Sequence, residues 1–317
     1  MDVSIVIPLY NEEDSLPELL EWIKRVVDEH RLSCEVIMVD DGSTDGSWGV
    51  VQQLHGAYGE MLHGIQLRRN YGKSAALFCG FEAAQGKVVI TMDADLQDSP
   101  DEIPELYRMV AAEGYDVVSG WKKKRYDPID KRLPSKLYNA TVRLITGIKL
   151  HDFNCGIKAY KKKVVKSIEV FGDMHRYIPV LAKQAGFKKI GEKVVQHSPR
   201  KYGESKFGWQ RLMTGFLDLL SVVFLTKFGK KPMHFFGVLG TLMFLIGLAM
   251  AIYLGASKIY SLSHNLSATL ITNSPYFFIG LTAMIIGTLL FMSGYLGELI
   301  ARNSGDRNLY LIEEKIS

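Results

Sequence analysis

The sequence predicts an α/β domain with a mostly parallel sheet and flanking helices, followed by two transmembrane helices. Short apolar runs alternate with helical patterns over residues 1–120, which is typical of a parallel sheet covered by helices. Residues 232–297 contain a single charged side chain, that of Lys258. With 317 residues, of which 47% are apolar, the chain has room for about two domains and is too apolar to be disordered. Its net charge of +4 is too small to indicate a nucleic-acid-binding protein.

Five candidate strands lie in the first 120 residues. They are Val3 to Leu9, Glu35 to Val39, Leu62 to Leu67, Val88 to Met92 and Asp116 to Ser119. Between the first two, Ser15 and Glu18 match a capping box, which predicts the start of an amphipathic helix. Polar clusters follow the first four strands. Because ligands of open α/β sheets bind outside the carboxyl ends of the strands, we expect these clusters to converge on one site.

Residues 121–206 have a less regular pattern and are predicted to complete the same domain, which then covers 1–206. A helix is expected near Lys131 to Thr146, and strands are expected near Cys155 to Tyr160 and Lys189 to Gln196. The three cysteines are widely spaced and form no CxxC pair, which favours free thiols in a reducing compartment. The first residues carry no basic segment, so a cleavable signal peptide is not expected.

Two uncharged runs near the C-terminus are candidate transmembrane helices. Phe235 to Leu254 and Tyr276 to Leu296 have 20 and 21 residues, enough to cross a hydrocarbon core of about 30 Å. Basic residues precede the first run and follow the second, whereas the connection between them holds only Lys258. The positive-inside rule therefore predicts that both termini lie in the cytoplasm.

These patterns divide the rest of the chain into three predicted segments. Residues 207–231 are expected to form an interfacial amphipathic segment, 232–300 a two-helix transmembrane domain, and 301–317 a cytoplasmic C-terminal tail. Small residues four positions apart, such as Gly247 and Ala251, favour close packing between helices. The same pairs are consistent with a homo-oligomer.

A pair of carboxylates directly after the fourth strand is the main candidate for a metal site. Asp93 and Asp95 can bind one hard cation such as Mg²⁺ or Mn²⁺, and Gln97 and Asp98 add oxygen atoms nearby. The alternative is a structural turn that caps the helix starting near Pro100. Neither a Walker A loop nor a GxGxxG fingerprint occurs, so a nucleotide would have to be held in another way.

Four motifs, taken together in order, resemble those of a known enzyme family. They are Ser4 to Glu13, Val39 to Asp45, Arg69 to Ala75 and Met92 to Asp98. Their sequences and order are similar to family 2 glycosyltransferases with the GT-A (Rossmann-like) fold, and most similar to the polyprenyl-phosphate branch. That branch includes dolichol-phosphate mannose synthases and bactoprenol-phosphate glucosyltransferases. The Gln-x-x-Arg-Trp signature of processive synthases is missing, which argues against chain elongation.

The resemblance implies a role for each matching residue. Contacts with the nucleotide sugar are implied for Pro8, Tyr10, Asn11, Glu12, Asp40, Lys73, Asp93, Arg200, Ser205 and Lys206. The metal-binding positions are Asp93, Asp95 and Gln97. Asp152 and Asp95 are the catalytic carboxylates, with Asp152 acting either as an orienting group or as a general base. A turn-capping role for Asp152 remains the structural alternative.

Other basic side chains are candidates for contacts outside these motifs. Arg125, Arg132, Lys136 and Arg200 are candidates to meet the acceptor phosphate. His175 and Arg176 are candidates to line the sugar pocket, and a surface helix start is the alternative for both.

The expected function is the inverting transfer of one hexose from a nucleotide sugar to polyprenyl phosphate at the cytoplasmic face of the membrane. UDP-glucose is the first candidate donor, and GDP-mannose is an alternative. The expected partners are the donor, the acceptor lipid and the bilayer, with no nucleic acid. Two rival functions are a transferase for another lipid acceptor and a non-catalytic membrane protein that senses nucleotide sugars.

Overall fold

A computed structural model describes residues 1–123, 139–199, 201, 232–264, 270–303, 310 and 312–316. The chain forms two compact units. The first consists of Met1–Val223 together with Arg307–Ser317, and the second is Phe224–Asp306. The last residues of the chain thus belong to the same unit as the first residues.

The first unit alternates strands and helices. In chain order its elements are β1 (Val3–Leu9), α1 (Leu16–Glu29), β2 (Cys34–Asp40), α2 (Ser47–Tyr58), β3 (Leu62–Leu67), α3 (Lys73–Ala83), β4 (Val88–Thr91), α4 (Ile103–Ala111), β5 (Val117–Trp121), α5 (described over 139–146), β6 (Lys158–Lys161), α6 (Lys162–Val165), α7 (Ile178–Gln184), β7 (Ile190–Val194) and, after the second unit, β8 (Ile312–Ile316). The predicted strands therefore all occur; β1 and β3 have the predicted ends, and the others have shifted ends.

The described strands form one mixed sheet in the order β7-β5-β6-β4-β1-β2-β3-β8. β1 pairs in parallel with β2 and β4, and β2 pairs in parallel with β3. All seven residues of β1 are buried, as expected for a central strand covered by helices on both faces. β6 lies antiparallel between β4 and β5, which brings the chain after Asp152 back to the centre of the sheet.

The start of α1 differs from the prediction. Ser15 is the residue before the helix, but its side chain accepts no bond from the helix backbone. Its hydroxyl instead donates to the carbonyl of Glu12 at 2.9 Å, so the predicted capping box is wrong. The helix is amphipathic as expected, and its apolar face packs into the core through residues such as Leu19, Leu20 and Ile23.

The second unit is a pair of long apolar helices, α8 (Pro232–Ser263) and α9 (Pro275–Asn303). Both are long and apolar enough to span a membrane, and only 17% of the most apolar part of each is buried. That exposure is unlike the core helices of soluble proteins. A Cβ placed on Gly247 would lie 2.4 Å from the carbonyl oxygen of Gly280, and one on Gly240 would lie 2.5 Å from that of Gly287. The helices therefore pack antiparallel through glycines spaced by seven residues.

The C-terminal tail also contains an element that the sequence did not predict. β8 pairs antiparallel with β3, from Gly64 opposite Ile316 to Leu67 opposite Ile312. Residues 312–316 are therefore part of the sheet of the first unit rather than a separate tail.

Candidate active site

The described residues enclose a cavity of about 310 Å³ near the carboxyl ends of β1 and β4. Three of the residues to which the resemblance assigns a role line it, namely Pro8, Lys73 and Asp93. The rest of the described lining is Leu77, Thr91, Asn154, Cys155, Gly156, Lys158, Tyr160, Asp173, His175, Arg176 and Ile178. In this cavity the predicted convergence of the polar clusters is observed for those after β3 and β4, which contribute Lys73 and Asp93.

Asp93 is the first residue of the predicted metal pair and forms an ion pair with Lys73. Burial alone would raise the pKa of Asp93, but the charge of Lys73 and its hydrogen bond outweigh burial and lower this pKa. Lys122 and Lys158 add to the lowering. Asp93 is therefore ionised at neutral pH, in a strongly positive environment.

The backbone of Gly156 packs directly against Asp93. A Cβ at Gly156 would lie 2.4 Å from Asp93 Oδ2, so any larger residue here would displace the carboxylate. Lys158, two residues later on β6, is 4% exposed, and its ammonium group donates to the carbonyl of Cys155. Burial lowers the pKa of Lys158. These contacts hold the segment after Asp152 against the end of β4.

Asp93, Asp95 and Gln97 lie on one tight turn. Leu96 adopts the left-handed region with φ of 59°, and the backbone N–H of Gln97 donates to Asp95 Oδ1 at 3.2 Å. The three polar residues are each partly exposed, whereas Ala94 and Leu96 between them are buried. The donor set of two carboxylates and one amide oxygen fits a hard divalent cation that takes further ligands from a diphosphate. Among the residues described, no group of three or more His, Cys, Asp and Glu is arranged for a metal.

The loop after β2 is built around two adjacent aspartates with different partners. Asp40 Oδ1 accepts from the N–H of Ser43 at 2.9 Å, and its Oδ2 accepts from Gln66 at 3.3 Å. The carboxylate of Asp41 accepts from the backbone N–H groups of Tyr71 and Gly72, both at 2.8 Å. Burial raises the pKa of Asp41, although these two bonds oppose the rise. Asp41 thus fixes the loop that leads to Lys73.

The loop after β1 is fastened to the loop after β2. Asn11 has φ of 56°, its backbone N–H donates to Ser43 Oγ at 2.9 Å, and its Oδ1 accepts from the N–H of Thr44 at 2.8 Å. The N–H of Glu12 donates to Ser47 Oγ at 2.9 Å. The backbone N–H groups of Asn11 and Glu12 are therefore held by serine side chains that follow β2. Tyr10, next to them, is partly exposed.

Asp152 is 1% exposed, and its Oδ1 accepts from the N–H of Asn154 at 3.0 Å. The hydroxyl of Ser119 donates to the Asp152 carbonyl at 3.2 Å. Asn154, which this turn orients, lines the cavity. Within the described part of the chain, Asp152, Asp95 and Gln97 are not in the cavity lining.

His175 and Arg176 line the cavity and lie in the short 3₁₀ helix Met174–Tyr177, so their contact with a sugar stays a prediction. The N–H of His175 donates to Ser74 Oγ at 3.1 Å, directly beside Lys73. The segment that leads to Arg200 is attached to the Asp95 turn, because the N–H of Ser198 donates to the carbonyl of Gln97 at 2.9 Å.

Several predicted residues lie outside the described part of the chain. They are Arg125, Arg132, Lys136, Arg200, Ser205 and Lys206, together with the predicted interfacial segment 207–231. Their roles stay predictions.

Sequence reasoning missed two side chains that shape the site, Asp41 and Lys158. Asp41 had a signal, because it adjoins Asp40 in the same motif. Lys158 had no such signal, since its place depends on the pairing of β6 with β4.

Comparison with known proteins finds a matching family model and similar enzymes. Residues 4–169 match the Glycosyl transferase family 2 model. The dodecaprenyl-phosphate galacturonate synthase of Rhizobium johnstonii is 34% identical over 304 residues, which cover 95% of this chain and 88% of that protein. The undecaprenyl-phosphate 4-deoxy-4-formamido-L-arabinose transferase of Aeromonas hydrophila is 35% identical over 300 residues, with coverage of 95% and 88%.

Solved structures agree on the fold. Glucosyl-3-phosphoglycerate synthase from Mycobacterium tuberculosis, in complex with uridine diphosphate, superposes with a TM-score of 0.53 at 19% identity. The match covers 71% of this chain and 79% of that one. The motifs, the mixed sheet and these matches lead to one assignment. The chain belongs to glycosyl transferase family 2, and its first unit has the GT-A fold.

Proposed function

We propose that the protein transfers one hexose from a nucleotide sugar to polyprenyl phosphate, with inversion, at the cytoplasmic face of a membrane. The observation that carries this proposal is the cavity in which Asp93 and Lys73 meet at the carboxyl ends of the strands, in a chain with two apolar helices. Both relatives described above are named for transfer to a polyprenyl phosphate, although their sugars differ.

The proposed donor is a UDP-hexose, with UDP-glucose first and GDP-mannose as the alternative. A neighbour of the same fold was crystallised with Mn²⁺ and UDP-glucose. The sugars of the relatives, galacturonate and a formamido-arabinose, indicate that the sugar pocket varies while the lipid acceptor is retained. In this chain the pocket would be formed by side chains such as His175, Arg176 and Asn154.

Asp93, Asp95 and Gln97 would hold Mg²⁺ or Mn²⁺. A divalent ion there supplies Lewis-acid stabilisation of the negative charge that develops on the departing nucleoside diphosphate. Lys73 lies beside Asp93 and adds a positive charge for the same diphosphate. Because the pKa of Asp93 is lowered, this carboxylate needs no deprotonation before it binds a cation.

The acceptor phosphate needs little help from a base. By analogy with phosphoserine, its second pKa is about 6, so it is largely ionised at neutral pH. Asp152 is buried and bonded to the turn that presents Asn154, which supports an orienting role over a general-base role. Direct attack by the phosphate on the anomeric carbon gives one inversion, so an α-linked donor yields a β-linked product.

The test uses the full chain in membranes with radiolabelled UDP-glucose, UDP-galacturonate, UDP-4-deoxy-4-formamido-L-arabinose and GDP-mannose. Each is offered with polyprenyl phosphate or with a neutral lipid, and label in the lipid phase is counted. We expect transfer to polyprenyl phosphate from one UDP-sugar. Transfer only to the neutral lipid would show that the acceptor is another lipid. Nucleotide binding without any turnover would favour a non-catalytic membrane protein that senses nucleotide sugars.

Two variants make this assay specific. Asp93→Asn is expected to lower turnover about a hundredfold or more, because it removes one charge of the metal pair. Asp28→Asn removes an exposed carboxylate that pairs with Lys24 and is the matched control, with unchanged turnover. Full activity of Asp93→Asn in a chelator would contradict the metal role.

A further inference from the structure

The C-terminal strand β8 ends the sheet next to the loop that carries Lys73. Gln66 lies opposite Glu314, and the next residue of β3, Leu67, lies opposite Ile312. Two steps along β8 thus match one step along β3, and Glu313 is the extra residue. Such a bulge redirects side chains at the end of a strand. Here it occurs where β3 passes into the loop 68–72, which we call the donor loop.

Side chains of this C-terminal segment contact the donor loop directly. Arg68 Nε lies 2.7 Å from a carboxylate oxygen of Glu313. The ring of Tyr310 packs edge-on against Tyr71, with 5.6 Å between ring centroids, and against Phe78 of α3 at 5.8 Å. The guanidinium of Arg69 lies 4.6 Å from the centroid of the Tyr71 ring, so Tyr71 is contacted by two groups.

The inner side of the same loop is held by the loop after β2. Asp41 binds the backbone N–H groups of Tyr71 and Gly72, as described above. Gly42, with φ of 68°, approaches so closely that a Cβ there would lie 2.5 Å from the carbonyl carbon of Arg69. The donor loop is therefore enclosed between residues 41–42 and the C-terminal segment. The residue that follows it is Lys73, the partner of Asp93.

The ring contacts are the stronger part of this arrangement. The Arg68 and Glu313 side chains are 61% and 50% exposed, and an exposed ion pair of this kind contributes little. Aromatic pairs in edge-to-face geometry contribute more and depend on orientation. Tyr310 is partly buried against two rings, one in the loop and one in α3.

We propose that Tyr310, which the pairing of β8 with β3 brings beside the donor loop, is a positioning residue of the donor site. It holds Tyr71, and through the donor loop it sets the place of Lys73. The nucleotide part of the donor then binds to the donor loop, whose outer side contacts Tyr310. This inference rests on the proposed nucleotide-sugar function.

The experiment measures UDP binding by calorimetry, with GDP as a second probe, on the full chain in nanodiscs with Mn²⁺. Tyr310→Ala is expected to weaken UDP binding about threefold to tenfold, the effect of losing one or two aromatic pairs. Tyr310→Phe keeps the ring and is expected to bind UDP as the parent chain does. In transfer assays Tyr310→Ala should raise KM for the donor and leave kcat nearly unchanged.

A second variant on the same strand separates positioning from stability. The carboxylate of Glu314 accepts hydrogen bonds from the side chains of Trp48, at 2.8 Å, and Gln52. Both donors lie in α2, away from the donor loop. Glu314→Ala is expected to lower the melting temperature without changing UDP affinity. Equal UDP affinity of Tyr310→Ala and the parent chain would overturn the inference while leaving the proposed function intact. Absence of binding of either nucleotide to the parent chain would overturn the proposed function itself.

Discussion

At the scale of single residues, the site concentrates positive charge around one carboxylate. Lys73 pairs with Asp93, and Lys122 and Lys158 lower the pKa of Asp93 from further away. Lys122 itself forms an ion pair with the buried Asp98 at 2.7 Å, which fixes the position of the Lys122 ammonium group. A pocket of this kind suits a ligand with several negative charges, such as a nucleoside diphosphate.

His175 is the group whose titration the structure constrains most clearly. Its backbone N–H donates to Ser74 Oγ, and the Ser74 hydroxyl can donate to His175 Nδ1, 3.2 Å away, when Nδ1 carries no proton. Burial, followed by the charges of Lys73 and Arg176, holds the pKa of His175 well below its usual value. The folded state therefore resists protonation of this ring.

This shift predicts a pH dependence of stability. Below about pH 6.5 an unfolded histidine gains a proton that the folded His175 does not, so stability falls as pH falls towards the folded pKa. The slope from one group is at most about 1.4 kcal/mol per pH unit, and partial exposure of the ring makes it shallower. His175→Gln should flatten the loss of stability in denaturant unfolding between pH 5 and pH 7.

The control for this experiment is His30→Gln. His30 is an exposed histidine at the end of α1, and an equal flattening in His30→Gln would contradict the assignment to His175. An unchanged slope in His175→Gln would show that this histidine is not the group responsible.

The residues of the site were predictable where chain order alone brings them together. Lys73 and Asp93 each follow a strand of the parallel centre, so their meeting follows from the general rule for such sheets. Lys158 could not be found in this way. It is buried because β6 inserts antiparallel between β4 and β5, and the local sequence does not encode those partners.

At the scale of elements, the packing of α8 on α9 depends on glycines at heptad spacing. Gly240 and Gly247 of α8 face Gly287 and Gly280 of α9 with backbone atoms in near contact. In a bilayer, where apolar side chains gain little from leaving lipid, such close backbone approach is a main source of helix association. Small residues four positions apart are apparent in the sequence, but this seven-residue repeat was not predicted.

Substitution of one of these glycines should separate the helices. Gly247→Leu is expected to lower the free energy of unfolding by about 1–3 kcal/mol, because the new side chain overlaps the carbonyl of Gly280. The loss can be followed as a fall in the melting temperature of the protein in detergent. Gly255→Leu in the same helix is the control, since nothing lies within 4 Å of a Cβ at Gly255. An equal effect of both substitutions would contradict the role of the glycine contact.

Strand positions were predictable to within a few residues wherever an apolar run is bounded by polar residues. The predicted Glu35 to Val39 is observed as Cys34–Asp40, and Lys189 to Gln196 as Ile190–Val194. β8 was not predicted, because Ile312–Ile316 has three charged residues in five and is exposed over most of its length. Its strand conformation comes from pairing with β3, a partner about 250 residues earlier in the chain.

At the scale of the whole molecule, the first unit is made from both ends of the chain. β8 pairs with β3 in the sheet that contains β1, so the N-terminal and C-terminal parts must lie on the same side of a membrane. The charge bias around the two spans predicts the same arrangement by an independent argument. An even number of spans between the two parts satisfies both conditions.

Reporter fusions in a bacterial host test this topology. Alkaline phosphatase fused after Ser317 is expected to be inactive, and green fluorescent protein fused there should fluoresce, since the sheet that contains β8 is proposed to lie in the cytoplasm. Phosphatase fused to a chain truncated within residues 265–269, between α8 and α9, should be active. Active phosphatase at the C-terminus would contradict the cytoplasmic placement of the first unit.

The place of β8 also orders the events of synthesis. The ribosome makes β1 to β7 first, then the two apolar helices, and the partner of β3 emerges last. Until then β3 presents an unpaired backbone edge, which is a known site of unwanted association between chains. The edge can therefore be covered only after β8 has been made, and a nascent chain that stalls before β8 keeps it open to capture by chaperones or proteases.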